Sequence, residues 1–257
     1  MDHARKTAII TGASRGIGRG IAFALAEKGY DLFITHLDEE EEANEVSRQL
    51  LADYGTQCKV LKVDLSQVDA PELVINTAIE AFGSVHVLVN NAGISRFKSI
   101  TIHEAAAMDY IYQLNFRAPM LTTKFIANHM ISKGIHGSIV NITSSRAERA
   151  YPLDAVYGGM KAGLLRATQS NAIELAPYGI RVNSIGPGAI QVRAEYQESY
   201  DILGPQIPLG RVGKPSDIGQ TTAWLVSDEA SYITGINLRV DGGLILPGMP
   251  ENIGKGL

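Results

Sequence analysis

Cysteine is almost absent from these 257 residues: Cys58 stands alone. One thiol excludes an intramolecular disulfide framework and any cysteine-rich site, and no metal centre is expected. Cys58 opens the run Cys58-Lys59-Val60-Leu61-Lys62-Val63, where a thiol packs as a small apolar group. No apolar stretch reaches the roughly 18 residues of a membrane span, so no membrane partner is expected. The run Ala8-Ile9-Ile10 breaks at Thr11-Gly12, too early for a secretory leader, and a cytoplasmic location is the expectation. A large charge of either sign is missing too. Lys and Arg number 23 against 27 Asp and Glu, and the net charge of -4 argues against nucleic acid as the main partner.

What remains is an ordinary globular composition, 45% hydrophobic and 19% charged, long enough to bury a full core. Neither linker, internal repeat nor low-complexity block divides it, so residues 1–257 read as a single domain. Apolar runs of strand length alternate with helical periodicity, which predicts a doubly wound α/β sheet. Lys6 to Thr11 is the first strand. It ends in Thr11-Gly12-Ala13-Ser14-Arg15-Gly16-Ile17-Gly18, and a helix follows with Ile17, Ile21, Ala24 and Leu25 on one side. Strand, glycine turn and helix N-terminus together make an anion site: the turn brings backbone N–H groups close and the helix dipole adds positive potential. The spacing is G-x-x-x-G-x-G, not the G-x-G-x-x-G of the common dinucleotide fingerprint.

The second strand, Asp31 to Thr35, ends in His36-Leu37-Asp38. An acid at this distance from the glycines suits the ribose 2′-hydroxyl of NAD, and an arginine suits the 2′-phosphate of NADP. Arg15 leans towards NADP(H); Asp38 and the acids through Glu42 lean the other way, unless they only complement a helix dipole. NADP(H) is slightly favoured over NAD(H). A third strand leads to Asp64-Leu65, where the adenine edge would lie, and a helix over 71–82 follows. The strand Val85 to Val89 meets Asn90-Asn91-Ala92-Gly93. Asparagines at a buried strand end are expensive unless hydrogen-bonded, so this pair is expected to fix backbone, ligand or both. Residues 103 to 133 predict a long helix containing Asn115, an unfavourable residue in mid-helix. It is either a solvent-facing polar residue or one whose backbone or amide orders a water.

The chemistry concentrates between Ser144 and Lys161. Tyr157 and Lys161 share one helix face at i and i+4. A free phenol titrates near 10. A lysine charge roughly 5 Å away at an effective dielectric of about 20 favours phenolate by about 3 kcal/mol, or about two pKa units. Ser144 ends the apolar run Ser138 to Thr143, at a strand end facing that helix; Ser145 is its competitor, and the spacing to Tyr157 favours Ser144. Farther on, the strand from Gly179 ends in Gly186-Pro187-Gly188-Ala189-Ile190. The polar stretch 191–212 is a candidate mobile substrate lid. A helix over 215–226, a last strand over 235–240 and a Gly- and Pro-rich tail from Pro247 complete the chain.

In this order, Thr11-Gly-x-x-x-Gly-x-Gly18, Asp64, Asn90-Asn-Ala-Gly93, Asn115, Ser144, Tyr157-x-x-x-Lys161 and Pro187-Gly188 resemble the short-chain dehydrogenase/reductases, over nearly the whole chain. The resemblance implies a seven-stranded parallel Rossmann sheet and NAD(P)-dependent hydride transfer between nicotinamide and a secondary alcohol or ketone. It implies Tyr157 as general acid/base, Ser144 holding the substrate oxygen, Lys161 on the nicotinamide ribose and lowering the Tyr157 pKa, and Asn115 holding a relay water. Gly12, Ser14, Arg15, Gly16, Ile17, Gly18, His36, Asp38, Asp64, Leu65, Asn91, Ala92, Gly93, Tyr157, Lys161, Pro187, Gly188 and Ile190 would bind the dinucleotide. A homotetramer is implied as well, with the Tyr157 helix and last strand at its interfaces. Two departures stand out: Gly158-Gly159-Met160 where relatives carry an Ala-Ser pair before the lysine, and Val192 where many carry a threonine on the nicotinamide amide. The glycine loop resembles 3-oxoacyl-acyl-carrier-protein reductases, the leading reading for substrate. Asn183 to Ile190, Pro152-Leu153 and Asp228 to Gly235 resemble bacterial glucose dehydrogenases, which makes a sugar or polyol dehydrogenase the alternative. Arg96, Arg146, Glu148 and Arg149 lie beside the expected pocket, as contacts for an acidic substrate or as solvated loop charges. A non-catalytic NAD(P)-binding regulator is the rival from another class, and an intact Ser144, Tyr157, Lys161 and Asn115 set argues against it.

Overall fold

The computed structural model describes residues 5–247, and the tail beyond Pro247 lies outside them. Seven parallel strands form one sheet in the order β3-β2-β1-β4-β5-β6-β7. The strands are β1 (Thr7–Ile10), β2 (Asp31–His36), β3 (Cys58–Lys62), β4 (Val87–Asn90), β5 (Ser138–Ile142), β6 (Arg181–Pro187) and β7 (Asn237–Val240). The helices between them are α1 (Gly16–Glu27), α2 (Glu40–Tyr54), α3 (Ala70–Phe82), α4 (Ala105–Tyr112), α5 (Ala118–Lys133), α6 (Ala155–Leu175), α7 (Gln197–Leu203) and α8 (Pro215–Val226). None is long and apolar enough to cross a membrane.

The inner strands β1, β2, β4 and β5 each carry successive apolar residues because both faces of a parallel sheet are covered. Side chains alternate between the faces, so Ala8, Ile10, Leu32, Ile34, Val87 and Val89 join one core with α1, α2 and α8. Ile9, Phe33, Leu88 and Ile139 join the other with α3 and α5. The strand order reverses beside β1: the chain runs outward through β2 and β3, then returns to β4 on the opposite side. Loops after β1 and β4 therefore diverge and leave a crevice at the strand C-terminal ends, the ligand position of such sheets.

Buried amides tie the halves together there. Asn90 Nδ2 donates to Asn141 Oδ1 (2.9 Å), and Thr122 Oγ1 on α5 donates to Asn90 Oδ1 (2.7 Å). Asn141 Nδ2 donates in turn to Thr168 Oγ1 on α6 (2.9 Å). Asn90 thus fixes framework, two strands against two helices. Asn90→Ala leaves Asn141 Oδ1 and Thr123 Oγ1 buried without this partner, and each costs about 1–3 kcal/mol. A loss near 3 kcal/mol is expected by urea denaturation, and an unchanged midpoint would refute the network's role.

The expected single helix over 103–133 is interrupted. Between α4 and α5 the backbone widens into a π turn, Gln113–Arg117, centred on Asn115. Pro119 lies four residues beyond Asn115 and has no N–H, so it cannot donate the ordinary helical bond to the Asn115 carbonyl.

Candidate active site

The glycine turn is held from the β4 side. Asn91 Nδ2 donates to the carbonyls of Thr11 (2.9 Å) and Gly12 (2.7 Å), while Thr11 Oγ1 accepts from the N–H groups of Asn91 and Ala92 (both 3.0 Å). Thr35 completes the grip, its Oγ1 accepting from Gly12 N (3.1 Å). Gly12 and Gly16 take left-handed backbone angles (φ 65° and 55°), accessible to glycine without strain. Gly18 is present for space: a Cβ there would lie 2.2 Å from the Gly12 carbonyl oxygen. No side chain caps the N-terminus of α1, so its N–H groups stay available. Ala92 packs against Gly12 and Val192 against Gly16, which closes the turn between the β4 loop and the loop after β6.

At the end of β2, His36 is buried and its Nδ1 has no partner among the described residues. Arg15 Nη2 pairs with Glu39 Oε1 at 2.6 Å, and Asp38 approaches Lys62 at 4.0 Å. The Asp64 carboxylate is occupied locally by Ser66 N (2.9 Å) and Gln67 Nε2 (3.0 Å), and the Leu65 side chain belongs to the core. Gly188 N donates to Val240 O (3.0 Å), and Ile190 packs into the core beside Gly213.

Across the crevice stand the candidate chemical groups. Lys161 is buried and its Nζ donates to the carbonyl of Ile142 (2.8 Å). A Cβ on Gly93 would touch both Asn115 Oδ1 and Lys161 Nζ, so only a glycine fits between them. Asn115 is fully buried, not solvent-facing: its Nδ2 donates to the carbonyls of Ile94 (2.9 Å) and Ile111 (3.0 Å), and its Oδ1 accepts from Ile94 N (3.3 Å). Its amide is therefore spent on structure, and of the two groups expected to order a water only the main-chain carbonyl is left.

Tyr157 stands between Ser144 and Lys161, with Lys161 Nζ 5.8 Å from the ring centroid. Burial pushes the phenol pKa above its usual value; a hydrogen bond with Ser144 opposes this without overturning it. Burial also lowers Lys161, to about 8. The expected depression of the Tyr157 pKa by Lys161 is thus reversed in the chain alone, because desolvation of the phenolate dominates and the ammonium is engaged by Ile142. Gly159 faces open space. A groove of about 1010 Å³ begins at Ser14, Arg15 and Val192 and runs along α1 past Phe23 towards Pro215, and Tyr157 does not line it.

The stretch 191–212 is more ordered than the sequence suggests. α7 lies within it, Tyr200 OH accepts from Val192 N (3.2 Å), and Ile207 is buried.

The family described as Enoyl-(Acyl carrier protein) reductase matches residues 12–245. Among curated proteins, an L-rhamnose 1-dehydrogenase (NAD(P)(+)) from Azotobacter vinelandii is 37% identical over 94% of this chain and 97% of its own. A 3-oxoacyl-[acyl-carrier-protein] reductase from Staphylococcus epidermidis is 35% identical over 94% and 99%. The crystal structure of an acetoin dehydrogenase from Salmonella typhimurium superposes with a TM-score of 0.89 at 34% identity, over 95% of this chain and 99% of that one. The chain belongs to the short-chain dehydrogenase/reductase family. It is an NAD(P)-dependent oxidoreductase of that family.

For a short-chain dehydrogenase/reductase, the crevice fits the dinucleotide. The cramped glycine turn, the uncapped α1 N-terminus and the orphaned His36 Nδ1 lie along one path from β2 to the α1 start. Several residues escaped sequence reasoning. Thr35 and Thr168 carry no motif, and Asn141 was visible only as a polar residue inside a buried run. Asp154 and Phe97 carry no motif either; with Arg146, which the sequence places only as a charge beside the pocket, they meet beside Tyr157 from three separate segments.

Proposed function

We propose that Tyr157 is the general acid/base of hydride transfer between the nicotinamide and a secondary alcohol or ketone. The observation that carries this is the convergence of Tyr157, Ser144 and buried Lys161 in the crevice opposite the glycine turn. The dinucleotide, when bound, supplies or accepts the hydride. Tyr157, kept protonated by burial, donates its proton to the carbonyl oxygen during reduction, and Ser144 orients that oxygen. Lys161 holds the nicotinamide ribose, and the Asn115 main-chain carbonyl supports the water through which the proton is replaced. The segment 191–212 closes over the substrate, with exposed Tyr196 and Ile202 as its contact surface.

The substrate in this reading is a small polyhydroxylated alcohol or hydroxyketone. Tyr151, under the Arg146 guanidinium that also covers Phe97, offers a hydroxyl near the site, and the L-rhamnose and acetoin dehydrogenases among the relatives support it. A 3-oxoacyl substrate is the second reading, favoured by the exposed apolar side chains of Phe97 and Leu153. The assembly is a cytoplasmic homotetramer in the same reading, supported by Ile173 of α6, which is 77% exposed.

Both dinucleotides are used: Arg15 meets the 2′-phosphate once Glu39 releases it, and Glu39 and Asp38 suit a 2′-hydroxyl. The test titrates NADH and NADPH by fluorescence, then assays L-rhamnose, D-glucose, acetoin and a 3-oxoacyl thioester. Turnover of only the thioester would reject the polyol reading. Glu39→Gln frees Arg15 and is expected to tighten NADPH relative to NADH by about tenfold, roughly 1.4 kcal/mol. An unchanged ratio would remove Arg15 from cofactor selection.

A further inference from the structure

Asp154 occupies the N-cap position of α6, where an aspartate ordinarily accepts a hydrogen bond from the first helical turn. It makes no such bond. The side chain turns away, is buried to 4% exposure, and pairs through Oδ2 with Arg146 Nη1 at 3.2 Å, while its Oδ1 has no partner among the described residues. The chain accepts two unfavourable features to place it there. Leu153, immediately before it, is the one non-glycine residue among those described with a left-handed backbone (φ 65°). Gly158, a poor helix residue, leaves the needed room: a Cβ there would stand 2.9 Å from Asp154 Oδ2 and 3.2 Å from the Arg146 carbonyl oxygen.

Arg146 is clamped in turn. Its guanidinium lies over the rings of Phe97 (4.3 Å) and Tyr151 (4.4 Å). Phe97 meets Tyr157 edge to face, with centroids 5.7 Å apart and planes at 90°. The Phe97 loop is strapped to the same turn, since Lys98 N donates to the Leu153 carbonyl (2.9 Å). An unbroken series of contacts therefore runs from Asp154 through Arg146 and Phe97 to the ring of Tyr157.

We propose that Asp154 and Arg146 are a positioning pair for Tyr157: they lock Phe97 against the phenol and set two opposed charges beside it. The inference rests on Tyr157 being the acid/base. The charges act oppositely, Asp154 disfavouring the phenolate and Arg146 favouring it. The other polar groups facing the phenol are Ser144, by hydrogen bond, and Lys161, engaged by Ile142. Nearby Arg149 lies against Tyr151, and Glu148 is taken up by Asn237 and Arg239. Neither displaces the Asp154–Arg146 pair.

The experiment measures kcat/KM against pH for oxidation of the fastest alcohol in the substrate panel, with saturating NAD+ or NADP+. In this direction the phenolate is the base, so the rate rises with pH through the pKa of the phenol. Asp154→Asn is expected to move that rising limb down by about half a pH unit or more, and Arg146→Met to move it up. A merely structural role would lower both rates without moving the limbs apart. Opposed movement supports the pair; movement in one direction, or none, overturns it. If one variant fails to fold by thermal melting, the direction seen in the other decides. An active Tyr157→Phe would instead reject the acid/base reading itself, so the two failures are distinguishable.

Discussion

Tyr157→Phe is expected to lower turnover by about a thousandfold or more while leaving dinucleotide affinity within about twofold. The substitution removes one oxygen and keeps the ring that Phe97 and Lys161 surround. General acid/base groups contribute typically about 10²–10⁴ in rate. Here the group sits in a desolvated position where a stray water is a poor substitute. The dinucleotide, by contrast, is held in this reading mainly by the glycine turn, Lys161 and the strand ends, none of which depends on the phenol oxygen. Paired measurements decide the matter: steady-state kinetics and fluorescence titration of NADH or NADPH. Equal loss of rate and binding would mean that Tyr157 supports the cofactor, and its assignment as proton donor would fall.

Gly18→Ala has the reverse signature. The added Cβ would lie 2.2 Å from the Gly12 carbonyl oxygen, 2.6 Å from Asn91 Nδ2 and 2.8 Å from Ala13 Cα. None of these is the loose end of a flexible side chain. The Gly12 carbonyl and Asn91 amide are themselves bonded to each other, so displacing one breaks the grip on the turn. Overpacking of this kind costs about 1–3 kcal/mol of stability. Misplaced N–H groups also lose their aim at the pyrophosphate. Binding of NADH and NADPH is expected to weaken by about a hundredfold, roughly 2.7 kcal/mol. Both should weaken alike, because the pyrophosphate is common to them. Affinity unchanged within twofold would show that the turn does not bind the cofactor.

Much of this was legible along the chain because periodicity and local spacing are local quantities. Strands covered on both faces carry successive apolar residues, so β1, β2, β4 and β5 announce themselves in the sequence. The helix over 215–226 matches α8, since Pro215 marks its first turn. The order of strand, glycine turn and helix likewise pointed to Gly12, Gly16 and Gly18, helical spacing and a strand end pointed to Tyr157, Lys161 and Ser144, and the family resemblance supplied the roles expected of them.

Other features depend on which segments meet, and spacing does not encode that. Asn90 and Asn91 look alike in sequence, yet one braces the sheet against α5 and the other clasps the glycine turn. Their side chains leave the strand end on different sides. The π turn at Asn115 escaped the helical reading because hydrophobic period is blind to one extra residue in a turn. The sign of the Tyr157 shift was misjudged for a related reason. A lysine at i+4 is visible in sequence, whereas the burial that outweighs it is a property of the packed site. Composition and order thus determined the sheet, the turn and the candidates for the reactive groups. The electrostatic state of those groups, and the Asp154–Arg146 pair beside them, were decided by tertiary packing, because desolvation and charge pairing depend on distances between segments far apart in the chain.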